Sequence, residues 1–440
     1  MFAPPRFRFA FLLLPFVAFA ALPAAHAQRG GAEVEVVATD LANPIGVAVD
    51  AEGRVWVAET GTGNNDGRVS VVLPDGAVHP FLTGMPSVSN NDEPDGITHL
   101  LFYDGMLWIA GGAGATPKAD LFRYDPTGFT PGDPPLGLND FDAAYPLGVY
   151  VLDQGFLETN VYGIAEAGGT LYLTDAAANS VLTFAPDIEE AAVLTTFDPV
   201  ETGGTPPVAD PVPTGLAVPE VTAQGGVLVS SLTGFPFADG AAHVYTVAPD
   251  GTHSIYREDL TLLTDIAIDP RDGLPVVLQF AEFQIPDGFL PGTGRVLKLR
   301  DDGSTDVIAD GLNLTPGMAF ADDGTLYVTS LFGQLLRVSF PAVAAEPDDA
   351  GLPDDLVLHA PAPNPSAAAI TLRYELARPA AVRLVVYDAL GREVAVLADG
   401  AHAAGPHTAR FDGAGLPSGV YLCRLTSGNR SVLRHVTVLR

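Results

Sequence analysis

A six-residue phrase, glycine followed by apolar and aromatic residues and closed by a small or apolar one, returns six times along this chain. It reads GRVWVA at 53–58, GMLWIA at 105–110, GTLYLT at 169–174, GGVLVS at 225–230, GLPVVL at 273–278 and GTLYVT at 324–329. The starting glycines lie 52, 64, 56, 48 and 51 residues apart. A period near fifty, built from short strands and turn residues, predicts a β-propeller with one four-stranded blade per repeat. A helical solenoid is excluded, because no repeat sustains apolar residues at i, i+3, i+4 over three turns.

Each phrase has the same neighbours. Ahead of it runs a short apolar stretch, such as GVAV from Gly46, GITHL from Gly96 or GMAF from Gly317. Aligning these stretches sets Asp95, Asn160 and Asp265 around one axis. A turn of Asp, Gly or Pro separates stretch and phrase, and these residues accept tight-turn torsions at little cost. The sixth repeat has room for only three strands before Phe340. The missing one is expected to be VEVVA at 34–38, which would close the ring and remove two exposed edges.

The net charge of −31 falls almost wholly on residues 28–341. Such a surface repels nucleic acid and anionic membranes, which basic patches normally bind. It suits a cation or a neutral ligand, although a salt-adapted or GC-rich host accounts for the same acidity. Residues 1–27 read as a secretory signal peptide: Arg6 and Arg8, an apolar core, then Ala25-His26-Ala27 as cleavage site, a substrate for the Sec translocase. The apolar run is too short to span a bilayer, so no transmembrane segment is expected. The lone Cys423 has no partner for an internal disulfide and reads as a small buried hydrophobe.

Residues 342–357 form an acidic linker punctuated by Pro and Gly, without periodicity. Beyond it, Arg-rich alternating strands at 358–440 predict a small Ig-like β-sandwich. The fold class is therefore all-β: a six-bladed propeller at 28–341 followed by a sandwich. Asn364-Pro365, Tyr387-Asp388 with Gly391-Arg392, and Gly419-Val420-Tyr421 occur in order in the last segment. Together they resemble the type IX secretion (Por) C-terminal sorting domain of type A. That resemblance implies engagement of the type IX machinery, passage through the outer membrane and a place at the cell surface.

Sites in propellers gather on the face where polar groups from several blades converge. The candidates there are Glu59, Asp95, Asn160, Asp175 and Asp265, with Phe235 and Phe237 as an apolar tip on the blade-four loop. Carboxylate, amide and hydroxyl oxygens around one axis suit a hard cation such as Ca²⁺, with Glu59, Asn160, Asp175 and Asp265 as its ligands. The histidines His79, His99, His243 and His253 fall in separate repeats and form no catalytic set. No spacing selects a Ser-His-Asp constellation.

Ala58-Glu59-Thr60-Gly61-Thr62-Gly63, Asn160-Val161-Tyr162-Gly163, SLTGFPF at 231–237 and Leu263-Thr264-Asp265-Ile266-Ala267 are similar to the ScyD/ScyE propeller family. The resemblance implies export and the propeller fold, not a defined reaction. That family in turn resembles NHL repeats and gluconolactonase-type hydrolases, in which a Glu, an Asn and an Asp hold a metal. Here Asn43-Pro44-Ile45-Gly46 occupies the place of that Glu. Two functions are thus expected: a ligand- or partner-binding propeller without catalysis, or a Ca²⁺-dependent lactone or ester hydrolase.

Overall fold

The computed structural model describes residues 27–29, 32–90, 93–112, 120–219, 226–340, 356–359, 361, 366, 369–387, 393–413, 415–416, 419–427 and 430–438. The chain separates into two compact units, Met1–Pro341 and Ala342–Arg440.

The first unit contains six antiparallel blades, five of four strands and a sixth of five, in which Ala27–Arg29 adds to the outer edge. Each recurrent phrase is the start of a blade's second strand: Val55–Glu59, Met106–Gly111, Thr170–Asp175, Val227–Ser231, Pro275–Gln279 and Leu326–Ser330. The inner strands are Pro44–Val49, Ile97–Tyr103, Val161–Ala167, Pro213–Ala217, Leu263–Ile268 and Met318–Phe320. Each lies beside the next and the sixth lies beside the first, so the ring is closed. The phrases are apolar throughout because both faces of the second strand are buried between neighbouring blades. Val55–Glu59 and Val227–Ser231, for example, are buried at every residue. Trp56 shows what fills such a gap. It is wholly buried, meets Phe81 and Phe102 edge-on at 4.9 and 5.3 Å, and donates its indole N–H to Asp50 at 2.7 Å.

The sixth blade takes its outer strand from the other end of the chain. Ala32–Ala38 pairs antiparallel with Gln334–Ser339, Val34 facing Val338, and Arg337 meets Glu35 at 2.5 Å. Blade five carries an extra hairpin, Glu282–Gln284 with Gly288–Leu290, and a helix at Leu147–Asp153 follows blade two.

A hydroxyl crosses every blade boundary. Thr60 donates to Ile97 O at 3.1 Å, Thr98 to Tyr162 O at 2.8 Å, and Thr174 to Thr214 O. Thr214 donates to Leu263 O at 3.0 Å, Thr264 to Thr315 O at 2.8 Å, and Thr329 to Ile45 O at 2.5 Å. The last of these joins blade six to blade one. Inner strands share no ladder with their neighbours in the ring, so these hydroxyls supply hydrogen bonds that cross from one blade to the next.

The second unit is a β-sandwich. A three-stranded sheet (Leu356–Leu358, Ala369–Leu376, Gly405–Asp412) and a four-stranded sheet (Glu393–His402, Ala380–Tyr387, Gly419–Ser427, Arg430–Val438) contribute to one core. Alternation along Ala369–Leu376 turns Ile370, Leu372, Tyr374 and Leu376 inward. Cys423 sits in that core, and burial pushes its thiol up to about 12.

Candidate functional site

Strand register decides which residues share a level around the axis. In five of the six blades the first residue of the inner strand pairs with the end of the second strand: Pro44 with Glu59, Ile97 with Gly111, Val161 with Asp175, Pro213 with Ser231 and Leu263 with Gln279. A break in register follows each of these pairs, as a β-bulge would give. Two residues further on, the six equivalent positions are Gly46, His99, Gly163, Gly215, Asp265 and, in blade six, Gly317.

Four of the six are glycine for a steric reason. A Cβ on Gly46 would collide with Thr98 O, on Gly163 with Thr214 O, on Gly215 with Asp265, and on Gly317 with Ile45 O. The two side chains that do stand at this level come from blades two and five, opposite each other in a ring of six. They meet across the axis, with His99 Nε2 3.6 Å from Asp265 Oδ2.

Asp265 is 4% exposed, and its carboxylate accepts the amide N–H of Ile266 and of Met318, both at 2.8 Å. His99 is 8% exposed, and neither of its ring nitrogens has a hydrogen-bond partner. Tyr162, one residue before the glycine of blade three, lies against the imidazole with ring centroids 4.7 Å apart. Its hydroxyl reaches Pro316 O in blade six at 3.4 Å. Burial, with the charge of Asp265, pushes the Tyr162 phenol far up. Blades two and five, and three and six, thus touch through side chains on the axis, and the channel has a polar floor there.

The sequence alignment had placed Gly96 level with Gly46. The structure puts His99 there instead, because Gly96 precedes its strand and the bulge displaces the register. By the same register Asp265 lies deeper than Asn160, which precedes Val161. Asp95 and Asn160 stand together just before their inner strands, beside Gly112. Asp95 Oδ1 and Asn160 Oδ1 lie 2.8 and 3.0 Å from where a Cβ of Gly112 would be, and Asn160 Oδ1 is buried without a hydrogen-bond partner.

Glu59 and Asp175 occupy a different setting, the buried ends of second strands. Glu59 accepts Ala42 N–H at 2.5 Å, Ser70 Oγ at 2.5 Å, and two nitrogens of Arg68 at 2.7 Å each. Asp175 accepts Thr159 Oγ1 at 2.5 Å, Asn160 N–H at 2.8 Å and Ala178 N–H at 3.0 Å. Burial pushes the Asp175 carboxyl up, and these bonds offset it only in part. The four residues expected to hold Ca²⁺ divide accordingly, Glu59 and Asp175 bonded within their own blades and Asn160 and Asp265 nearer the axis. Among the described residues no three His, Cys, Asp or Glu side chains converge as a metal site requires.

Phe237 packs on Phe283 and Phe289 of the blade-five hairpin at 4.8 and 5.0 Å, while Phe235 is 40% exposed. In the second unit, Tyr421 is buried in the core, and Tyr387 and Gly419 lie in strands. Asn364, Pro365, Asp388, Gly391 and Arg392 lie outside the described residues, as do residues 1–26 and most of the linker. His99 and Tyr162 were not singled out from the sequence. The available signal was a histidine inside an inner strand, at a level where four other repeats carry glycine and one carries Asp265.

The secretion system C-terminal sorting domain family matches residues 362–438. No curated protein matches the chain. A Bacteroides thetaiotaomicron protein of unknown function is similar in structure at 12% identity and TM-score 0.48, over 70% of this chain and 75% of that one. A Xanthomonas campestris gluconolactonase is similar at 14% identity and TM-score 0.46, over 70% and 90%. A second, putative gluconolactonase is similar at 17% identity and TM-score 0.45, over 71% and 93%. Likenesses this distant fix neither substrate nor reaction. Among the described residues no helix is long and apolar enough to cross a membrane.

Proposed function

We propose that the protein is an exported propeller of the ScyD/ScyE type that binds a small ligand in the cup above its axial floor. Residues 1–27 direct it through the Sec translocase, and the C-terminal sorting domain hands it to the type IX machinery for display at the cell surface. The observation that carries the binding role is His99, a buried imidazole without a hydrogen-bond partner on the axis, facing Asp265 at a level where the other four blades carry glycine. Buried polar groups are normally satisfied, and an exception calls for water, an ion or a ligand.

The Ca²⁺-dependent hydrolase is the second reading, favoured by the juxtaposition of Asp95 and Asn160 beside Gly112. There a bound Ca²⁺ would polarise a lactone carbonyl and activate water. A thermal-shift screen of the mature chain against neutral and charged small molecules, with Ca²⁺ as a separate arm, tests both. Stabilisation by an organic ligand that is lost in His99→Leu supports binding at the axis. A Ca²⁺-dependent shift that survives in His99→Leu and disappears in Asn160→Ala favours the hydrolase.

A further inference from the structure

We propose that the axial site recognises a primary ammonium group, held by Asp265 and His99, on a ligand whose remainder extends toward Asn160. This deepens the binding role assigned above and rests on it.

Four of the six inner strands place no side chain on the axis at the Gly46 level. Four positions are glycines whose Cβ atoms would strike the adjacent strand, and only His99 and Asp265 project side chains there. A carboxylate 4% exposed normally has a cation beside it, because desolvation of the charge is otherwise uncompensated. Asp265 has only two amide N–H groups and an imidazole at 3.6 Å, too long for a hydrogen bond. Among the described residues no lysine or arginine forms an ion pair with Asp265.

What the site offers is acceptors: Asp265 Oδ2, an imidazole nitrogen of His99 and, at the next level up, Asn160 Oδ1. Asn160 lies three residues before Gly163, the position level with Asp265, about 10 Å along the strand at the usual rise per residue, so it meets another polar group of the same ligand and not the ammonium. An ammonium group brings three donors and a positive charge, so it supplies what this set lacks. The aromatic ring of Tyr162 beside His99 adds a surface that tolerates a cation. An anion would meet the Asp265 carboxylate with no positive group to offset it, and the net charge of −31 opposes its approach.

Calorimetric titration of the mature full-length protein with ethanolamine and glucosamine, against glucose and gluconate, tests this. Both amines are expected to bind at least tenfold more tightly than glucose, with no detectable binding of gluconate. Asp265→Asn and His99→Leu should each weaken amine binding tenfold or more. Asn160→Ala, which leaves the floor intact, should weaken glucosamine binding severalfold and serves if an axial variant fails to fold. Binding of glucose or gluconate equal to that of the amines would overturn the ammonium assignment while leaving a binding site on the axis. Amine binding unchanged in all three variants, or none of the four probes binding, would remove the ammonium site, and the second result would remove the axial binding role with it.

Discussion

Thr329 offers a direct test of how the ring is held shut. It is fully buried, its hydroxyl donates to Ile45 O at 2.5 Å across the blade-six to blade-one boundary, and it accepts Gly317 N–H at 3.1 Å. Thr329→Val keeps the shape and removes the hydroxyl, stranding one buried carbonyl and one buried amide. Each such group costs about 1–3 kcal/mol. With partial relaxation, a total of about 3 kcal/mol is expected. For a unit of this size, where each kcal/mol moves Tm by about 2 °C, that is a fall of about 6 °C. Thr329→Ser keeps both bonds and loses one methyl, about 1 kcal/mol and ~2 °C. Calorimetric melting of the two variants, with hydrogen exchange on the amides of Ala32–Ala38, reads the effect; the closing strand should exchange faster in the valine variant. A valine variant melting within 1 °C of the parent, or a serine variant at least as damaged, would refute the view that boundary hydroxyls hold the blades together.

Two other outcomes follow from the same geometry. In blade five, burial works to raise the Asp269 carboxyl, but bonds from Arg271 at 2.5 and 2.8 Å and from the buried Lys298 hold it down at about 2. A carboxyl depressed in the folded state contributes stability above about pH 4 that is lost as pH falls toward 2. Asp269→Asn should therefore cost about 3 kcal/mol at pH 7, less a share because Asp272 still meets Lys298 at 2.7 Å, and flatten the acid limb of a Tm-versus-pH curve; an unchanged acid limb would contradict this. Removal of residues 356–440 should leave the propeller folded in the periplasm, and cell fractionation finding it at the surface would sink the sorting role.

The all-β class was legible because the signature strand is buried on both faces, so its apolar run survives in all six repeats. The sorting domain was legible for a similar reason, as its alternating strands and turn residues recur in a fixed order. The floor of the channel was not. Inner strands begin with a bulge whose position does not show in the residue types, and in blade two Gly96 lies close to where a register glycine was expected. Aligning on Gly96 hid the equivalence of His99 and Asp265. Glu59 and Asp175 look, as residue types at strand ends, like ligands. Their hydrogen-bond partners Arg68, Ser70 and Thr159 come from other strands or loops, and only the folded blade brings them together.

The register also bears on which positions can carry specificity. A glycine in the axial ring is fixed by the strand beside it: Gly163 faces Thr214 O, and Gly317 faces Ile45 O. Such positions cannot acquire a side chain without moving a blade. His99 and Asp265 occupy the two places where the ring admits one, and they face each other. A change of ligand chemistry in this scaffold would therefore act first through this opposed pair, then through the Asp95 and Asn160 level above it, while Glu59 and Asp175 stay fixed by the blades they hold together. Four candidates that look alike in the sequence thus separate by what they touch: Glu59 and Asp175 are bonded within their own blades, whereas Asn160 and Asp265 border the channel.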